Sequence, residues 1–217
     1  MSDAHPAGEP RWAPPPPGSR GGAPDPGQDP ALHLTDLTVG AVLEIGSWPN
    51  RLQGVAEKLA DLLAADPPGR PGRFAQGEGA LLGWLAFGRF LWLSDDAADA
   101  ERLAQAFDSE EAAVVDLGSA RRGVRLTGAV APEVLNKAVA IDFDPRAFPP
   151  GSLAQAVIDH VPVVILRRAA EEFDVIVSAS LAQTVWDWLL DASFEHGYEV
   201  GEGTALVGAP RDQGLGP

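Results

Sequence analysis

The side chains able to move protons or hold a metal ion are few and scattered along this 217-residue chain. Its four histidines are His5, His33, His160 and His196, and none stands at a spacing that would offer one metal a second histidine or a carboxylate. Asp159-His160 could join a base to its orienting acid, but neighbours on a strand point to opposite faces, so the expectation is a surface or edge role. The carboxylate pairs Asp95-Asp96, Glu110-Glu111 and Glu171-Glu172 fall at helix starts or turns, where negative charge meets water or complements a helix dipole. Asp142 and Asp144, beside Pro145-Arg146, offer two readings. Either Arg146 clamps a carboxylate or anchors an interface, or an internal salt bridge orders the turn.

No cysteine is present, which removes disulfides, thiolate nucleophiles and Cys-based metal sites. Gly77-Glu78-Gly79-Ala80-Leu81-Leu82-Gly83 lacks the spacing of a phosphate loop and leads into a strand. Ser152, Ser178 and Ser180 lack the Gly-x-Ser-x-Gly elbow that would expose a nucleophile. The formal charge of -15, from 31 acidic against 16 basic residues, disfavours nucleic acid and anionic membrane as partners, because both are bound through clustered Lys and Arg. The longest apolar run, Ala80 to Leu93, is broken by Gly83, Gly88 and Arg89 and is too short to span a bilayer. With no basic and apolar leader at Met-Ser-Asp-Ala-His-Pro, a soluble protein of the cytoplasm is expected.

The elements that would position these residues follow from periodicity. Pro6, Pro10, Pro14 to Pro17, Pro24, Pro26 and Pro30 crowd the start of the chain, so a flexible tail is expected over 1–35. Val42, Leu43 and Ile45 read as a strand, and Leu52, Val55, Ala56, Leu59, Leu62 and Leu63 recur at helical spacing. After a loop from Asp66 to Gly79, Leu81 to Phe87 and Phe90 to Leu93 flank Gly88-Arg89 as a hairpin. Ser94-Asp95-Asp96 can cap a helix carrying Leu103 and Phe107, and Ala112 to Leu117 is a strand. The order βαββαβ is that of a ferredoxin-like split βαβ unit over 36–118.

A second α+β unit is expected over 119–200, with a flexible end over 201–217. Val124 to Thr127 is its first strand, Ala131 to Ala138 a short helix, and Phe148-Pro149-Pro150-Gly151 a rigid turn. Leu153 to Ile158, Val163 to Leu166 and Phe173 to Val177 are strands. Leu181 to Phe194 is an amphipathic helix, with Ser180 and Gln183 fitting a capping box and Gly197 its end. Trp186 and Trp188 lie roughly 200° apart on that helix, so they cannot both face one core. Either one of them, with Phe194 and Tyr198, reaches a partner, or the helix is sandwiched between the two halves of the chain. The candidate interface set is Arg146, Phe148, Trp186, Trp188 and Tyr198.

Val115-Asp116-Leu117-Gly118, Val124-Arg125-Leu126-Thr127-Gly128, Ala131-Pro132-Glu133-Val134-Leu135 and Asp142-Phe143-Asp144-Pro145-Arg146-Ala147-Phe148-Pro149-Pro150-Gly151 together resemble the gamma subunit of heterotetrameric sarcosine oxidase. The resemblance continues through Ala154-Gln155, Phe173 to Val177 and Ser180 to Gly197. It covers about 80 residues well, while Val42 to Phe107 matches only in the order of elements. The family is related to the folate-binding aminomethyltransferase fold, so the resemblance implies two abutting aminomethyltransferase-like units with antiparallel sheets. It also places that fold's functional acid at Val161-Pro162, where none stands. The chain departs from the family at Gly118-Ser119-Ala120, where a His is usual, and at Leu153, where a Cys is common.

The resemblance implies a noncatalytic subunit in a complex with alpha, beta and delta partners that oxidatively demethylates sarcosine or another N-methyl amino acid. FAD, FMN, NAD and tetrahydrofolate would sit on alpha and beta and zinc on delta, with none on this chain, and alpha would be the nearest neighbour. The alternatives are a free-standing folate-binding aminomethyltransferase-like protein, with Asp142, Asp144 or Asp159 as its acid, and a small module that binds folate or an amino acid without turnover.

Overall fold

A computed structural model describes residues 13–22 and 29–208. Most of the expected N-terminal tail, with His5, and the last part of the expected C-terminal tail lie outside the described residues. The chain opens with β1 (Arg20–Gly21) and β2 (Leu32–Thr38). β3 (Ala41–Ser47), α1 (Leu52–Leu63), β4 (Arg73–Gln76), β5 (Ala80–Ala86), β6 (Arg89–Ser94), α2 (Asp99–Ala106) and β7 (Ala112–Asp116) follow. The remainder is β8 (Arg121–Thr127), α3 (Ala131–Asn136), β9 (Ser152–Ile158), β10 (Val161–Ala169), β11 (Glu172–Ser178), α4 (Ala182–Ser193), β12 (Tyr198–Val200) and β13 (Thr204–Ala205).

Among the described residues the strands join in one sheet, ordered β1-β12-β2-β8-β11-β10-β9-β4-β5-β6-β3-β7, with β13 paired to β2. Two units sharing or abutting sheets were expected, and the shared sheet is what forms. The short pairing of Arg73 on β4 with Ser152 on β9 makes them one. The mixed α+β sheet is mostly antiparallel, and β12 and β13 run parallel to β2. The order β7-β3-β6-β5 is that of a split βαβ unit, and β8-β11-β10 repeats its inner strands.

The junction has matching halves. Gly72 N–H donates to Trp84 O (2.8 Å) and Gly72 O accepts from Leu153 N–H (2.9 Å). Gly151 N–H donates to Arg167 O (2.8 Å) and Gly151 O accepts from Phe74 N–H (2.9 Å). Both glycines sit in the left-handed region, at φ 81° and 80°, which L side chains adopt only at a cost.

Alternation along each strand gives the sheet two buried faces. On one side Ala41, Leu43, Ile45, Leu82, Phe90 and Trp92 pack under α1 and α2 through Val55, Leu59 and Leu103. In the second half Val124, Leu126, Phe173, Val175 and Val177 pack under α3 and α4 through Val134, Leu135, Val185 and Leu189. The sheet folds over so that its helix-free faces meet. Val42, Leu81, Leu91 and Leu93 from the first half join Leu37, Leu153, Leu166 and Ile176 from the second in one buried cluster. The layers run helix, sheet, sheet, helix.

Several expectations are corrected. The expected tail boundary at residue 35 falls inside β2, whose Leu32 and Leu34 are buried, and β2 pairs with β8 of the second unit rather than with the first. The loop from Asp66 to Gly79 contains β4, too short for a periodic signal. The stretch after Gly201 includes β13 and buries Leu206 and Val207. Ser180 makes no cap: it lies in a 3-10 turn with its Oγ 3.3 Å from that of Ser178, and Gln183 donates to Asp187. Asp159 and His160 leave the strand altogether. At φ 44° and 67° they form the two-residue turn between Ile158 and Val161, exposed to solvent.

Candidate functional site

The Asp142–Gly151 loop is built around a buried cation. Arg167 on β10 is only 2% exposed, and its Nη1 donates to Phe143 O (2.8 Å) and Phe148 O (2.7 Å) while the guanidinium stacks 5.0 Å over the Phe173 ring. Burial pulls the Arg167 pKa below its usual value, with Asp144 opposing that shift. Phe143 meets Phe148 and Phe173 edge to face, each at 5.4 Å. Phe148 is therefore core. Asp144 accepts from the backbone N–H of Arg146 and, through both carboxylate oxygens, from its side chain at 2.9 and 3.0 Å. Those bonds hold the Asp144 carboxyl below its usual pKa. Of the two readings of Arg146, the internal salt bridge forms, on a side chain 91% exposed.

The expectation that Trp186 and Trp188 cannot both face one core is corrected: both touch the same cluster, and neither gives α4 an exposed aromatic face. Trp186 is fully buried beneath the helix, Trp188 is half-buried and packs on the rim of the same cluster, and half-buried Tyr198 lies over Gly21. Phe194, at the helix end, is 61% exposed. The helix covers the outer face of the second half and is not sandwiched between halves. Trp186 and Phe148 are thus unavailable to a partner, because both are used by the core of their own half. Of the interface set, Arg146 stays exposed and Trp188 and Tyr198 half-buried.

What sequence reasoning missed is an ionic network in the layer between the sheets. Arg125 and Asp174 are direct cross-strand partners on β8 and β11, joined by Nε–Oδ1 at 2.6 Å and Nη2–Oδ2 at 2.8 Å. Glu172 lies 3.6 Å from Arg125, and Arg168 lies 3.7 Å from Asp174. Burial works against the charge on Arg125, but the hydrogen bonds and charge of Asp174, with Glu172 and Asp95 nearby, hold its pKa above the usual value. The segment 204–208 straps this network. Arg125 donates to Leu206 O (2.8 Å), and the N–H groups of Val207 and Gly208 donate to the Asp95 carboxylate at 3.0 and 2.9 Å. The available signal was a charge at alternate positions inside the apolar runs 124–126 and 173–177, which also fits a solvent face.

The strap reaches Asp95 just beyond one end of β6, and near the other end, by Arg89, the sheets part into a cleft of about 170 Å³. Val42, Leu91 and Ile176 line it, with Pro162 from β10. Its ionisable lining residues are Glu44, Arg89 and Arg121. Arg89 Nε and Nη2 both donate to Glu44, at 2.9 and 2.6 Å, whereas no hydrogen bond or ion pair to the Arg121 side chain occurs among the described residues. Val161 is buried in the second-half core. Asp142, Asp144 and Asp159 are not among the cleft residues, and no cluster of three metal-binding side chains occurs among the described residues. No helix among the described residues is long and apolar enough to cross a membrane.

The profile of the sarcosine oxidase, gamma subunit family matches residues 61–195. The chain belongs to that family. The match begins well upstream of Val115, where the motif resemblance starts, and so takes in the last turn of α1, β4 to β7 and α2. The sarcosine oxidase subunit gamma of Corynebacterium sp. (strain P-1) is 31% identical to this family member over 123 residues, 56% of this chain and 61% of the relative. That of an Arthrobacter sp. is 30% identical over 139 residues, 63% and 68% of the two chains. The chain thus spans about three fifths of the length of the first of these relatives. Among solved structures, a chain of the heterotetrameric sarcosine oxidase from Corynebacterium sp. U-96 in complex with pyrrole 2-carboxylate superposes with a TM-score of 0.68. The identity is 24%, covering 76% of this chain and 85% of that one. Aminomethyltransferase T of the glycine cleavage system from Bartonella henselae superposes at 0.59 and 18% identity, covering 79% of this chain and 48% of that chain. At these identities the likeness shows a shared aminomethyltransferase-type fold.

Proposed function

We propose that this gamma-family chain is a noncatalytic subunit of a heterotetrameric, sarcosine oxidase-like flavoenzyme in the cytoplasm. The family match over residues 61–195 carries this reading. In it the complex oxidatively demethylates sarcosine or another N-methyl amino acid and passes the one-carbon unit to tetrahydrofolate. FAD, FMN, NAD, tetrahydrofolate and zinc are held by alpha, beta and delta subunits, and this chain supports the folate-binding part of alpha. The internal geometry supports it as well: the buried ions Arg125, Asp174 and Arg167 are engaged in holding strands, strap and loop together. The paired glycines of the junction support the view that residues 36–118 and 119–200 are two related ferredoxin-like units, with β2 inserted into the second.

The test is co-expression with alpha, beta and delta partners, followed by size exclusion with flavin absorbance. Co-elution with flavin, and loss of demethylase activity or complex yield when this chain is omitted, is expected. A monomer that ignores those partners would sink the proposal. The second reading, a free-standing folate-binding protein, draws on the likeness to aminomethyltransferase T. The cleft between the sheets, at about 170 Å³, is below the ~300–1,000 Å³ in which drug-sized ligands sit and so does not itself support that reading.

A further inference from the structure

We propose that the cleft between the two sheet halves is a docking site for an extended segment of a partner subunit, which seats one apolar side chain between the sheets and sets a carboxylate on Arg121. The inference rests on the reading of this chain as a subunit of a larger complex. Four observations carry it. The first is size: about 170 Å³ lined by Val42, Leu91 and Ile176 matches a ring-sized group, since an apolar cavity of ~150 Å³ accepts benzene. The second is the rim. Val115 pairs with Glu44 across β3 and β7, Val157 pairs with Pro162 across β9 and β10, and Phe87 stands in the turn between Leu85 and Arg89.

Each of those neighbours lines the cleft, and Phe87, Val115 and Val157 are 67%, 52% and 52% exposed. Large apolar side chains gathered around one opening, rather than scattered singly, mark an interaction surface. The third is charge. Glu44 and Arg89 satisfy one another, which leaves the Arg121 guanidinium as the uncompensated charge of the cleft in a chain of net -15. A partner's carboxylate complements it. The fourth is shape. The volume is too small for a drug-sized ligand, while an apolar anchor in a pocket ringed by further apolar contacts is the usual form of an interface hot spot.

The experiment uses the full chain co-expressed with alpha, beta and delta subunits. Arg121→Glu and Val157→Asp are compared with the unchanged chain and with Glu101→Ala, an exposed side chain on α2. Melting temperature of each isolated variant confirms folding, and size exclusion with flavin absorbance reads the fraction incorporated. Both cleft variants are expected to fold and to lose incorporation by roughly tenfold or more, in line with a hot-spot substitution, while Glu101→Ala is incorporated normally. Cleft variants that fold and join the complex as well as the unchanged chain would overturn the inference and leave the subunit reading standing. An unchanged chain that joins no complex would instead defeat the subunit reading. Concentration-dependent dimers of the unchanged chain that Val157→Asp abolishes would overturn the inference in favour of a second copy as occupant.

Discussion

Arg125, Arg167 and Asp174 show one use of charge in this protein: buried, and engaged in fixing strands, strap and loop. A charge withdrawn from water must be paired and hydrogen-bonded, and Asp174, fully buried, receives two donors from Arg125. Asp174→Asn leaves the Arg125 guanidinium in the same buried layer with only half of that compensation. We expect it to cost about 3–5 kcal/mol of stability, as breaking buried pairs does, measured by denaturant unfolding. Replacing the pair together by Arg125→Met and Asp174→Leu is expected to cost far less, because no unpaired charge remains. Equal losses in the two variants would show that the pair acts through packing alone. The sequence displays both residues plainly, but a charge on alternate strand positions looks the same whether the face meets water or another sheet.

At the scale of elements, the strap is the piece whose role depends most on its surroundings. Residues 204–208 add β13 to the edge of β2, bury Leu206 and Val207 in the cluster between the sheets, and tie Arg125 in the second half to Asp95 in the first. Ending the chain after Gly203 removes two fully buried apolar side chains, at roughly 1.5–3 kcal/mol each. The expected loss is about 3–6 kcal/mol by denaturant unfolding, and a truncated chain as stable as the full one would show the strap to be a passive appendage. The Gly-rich stretch around it, 201–217, gives no hint of this. Five residues carry no period, and their burial depends on the two sheets they bridge. By contrast α1, α2 and α4 are legible, because Val55, Leu59 and Leu63, or Val185 and Leu189, repeat at helical spacing.

For the whole molecule the decisive fact is that one sheet runs through both halves and then closes on itself. Leu153 and Leu166 from the second half share a cluster with Leu81 and Leu91 from the first, so neither half can open without exposing the other. We expect a single thermal transition, with calorimetric and van't Hoff enthalpies equal. Two resolved transitions would mean that the halves fold as independent domains. The same closure bounds the cleft, and Val157, cross-strand partner of the lining residue Pro162, is left exposed.

The sequence by itself determined the α+β class, the βαββαβ frame of the first unit without β4, the helices and, through the Asp142–Gly151 run, the family. Those are local properties: periodicity, turn chemistry and short motifs are written in neighbouring residues. Only the tertiary structure decided that β2 belongs to the second unit, that Trp186 and Phe148 are core, that Asp95 is tied to the strap, and that Arg121 faces a cleft with no partner among the described residues. Each depends on which residues meet across long separations in the chain, and strand pairing between distant segments leaves no mark in the spacing of either one.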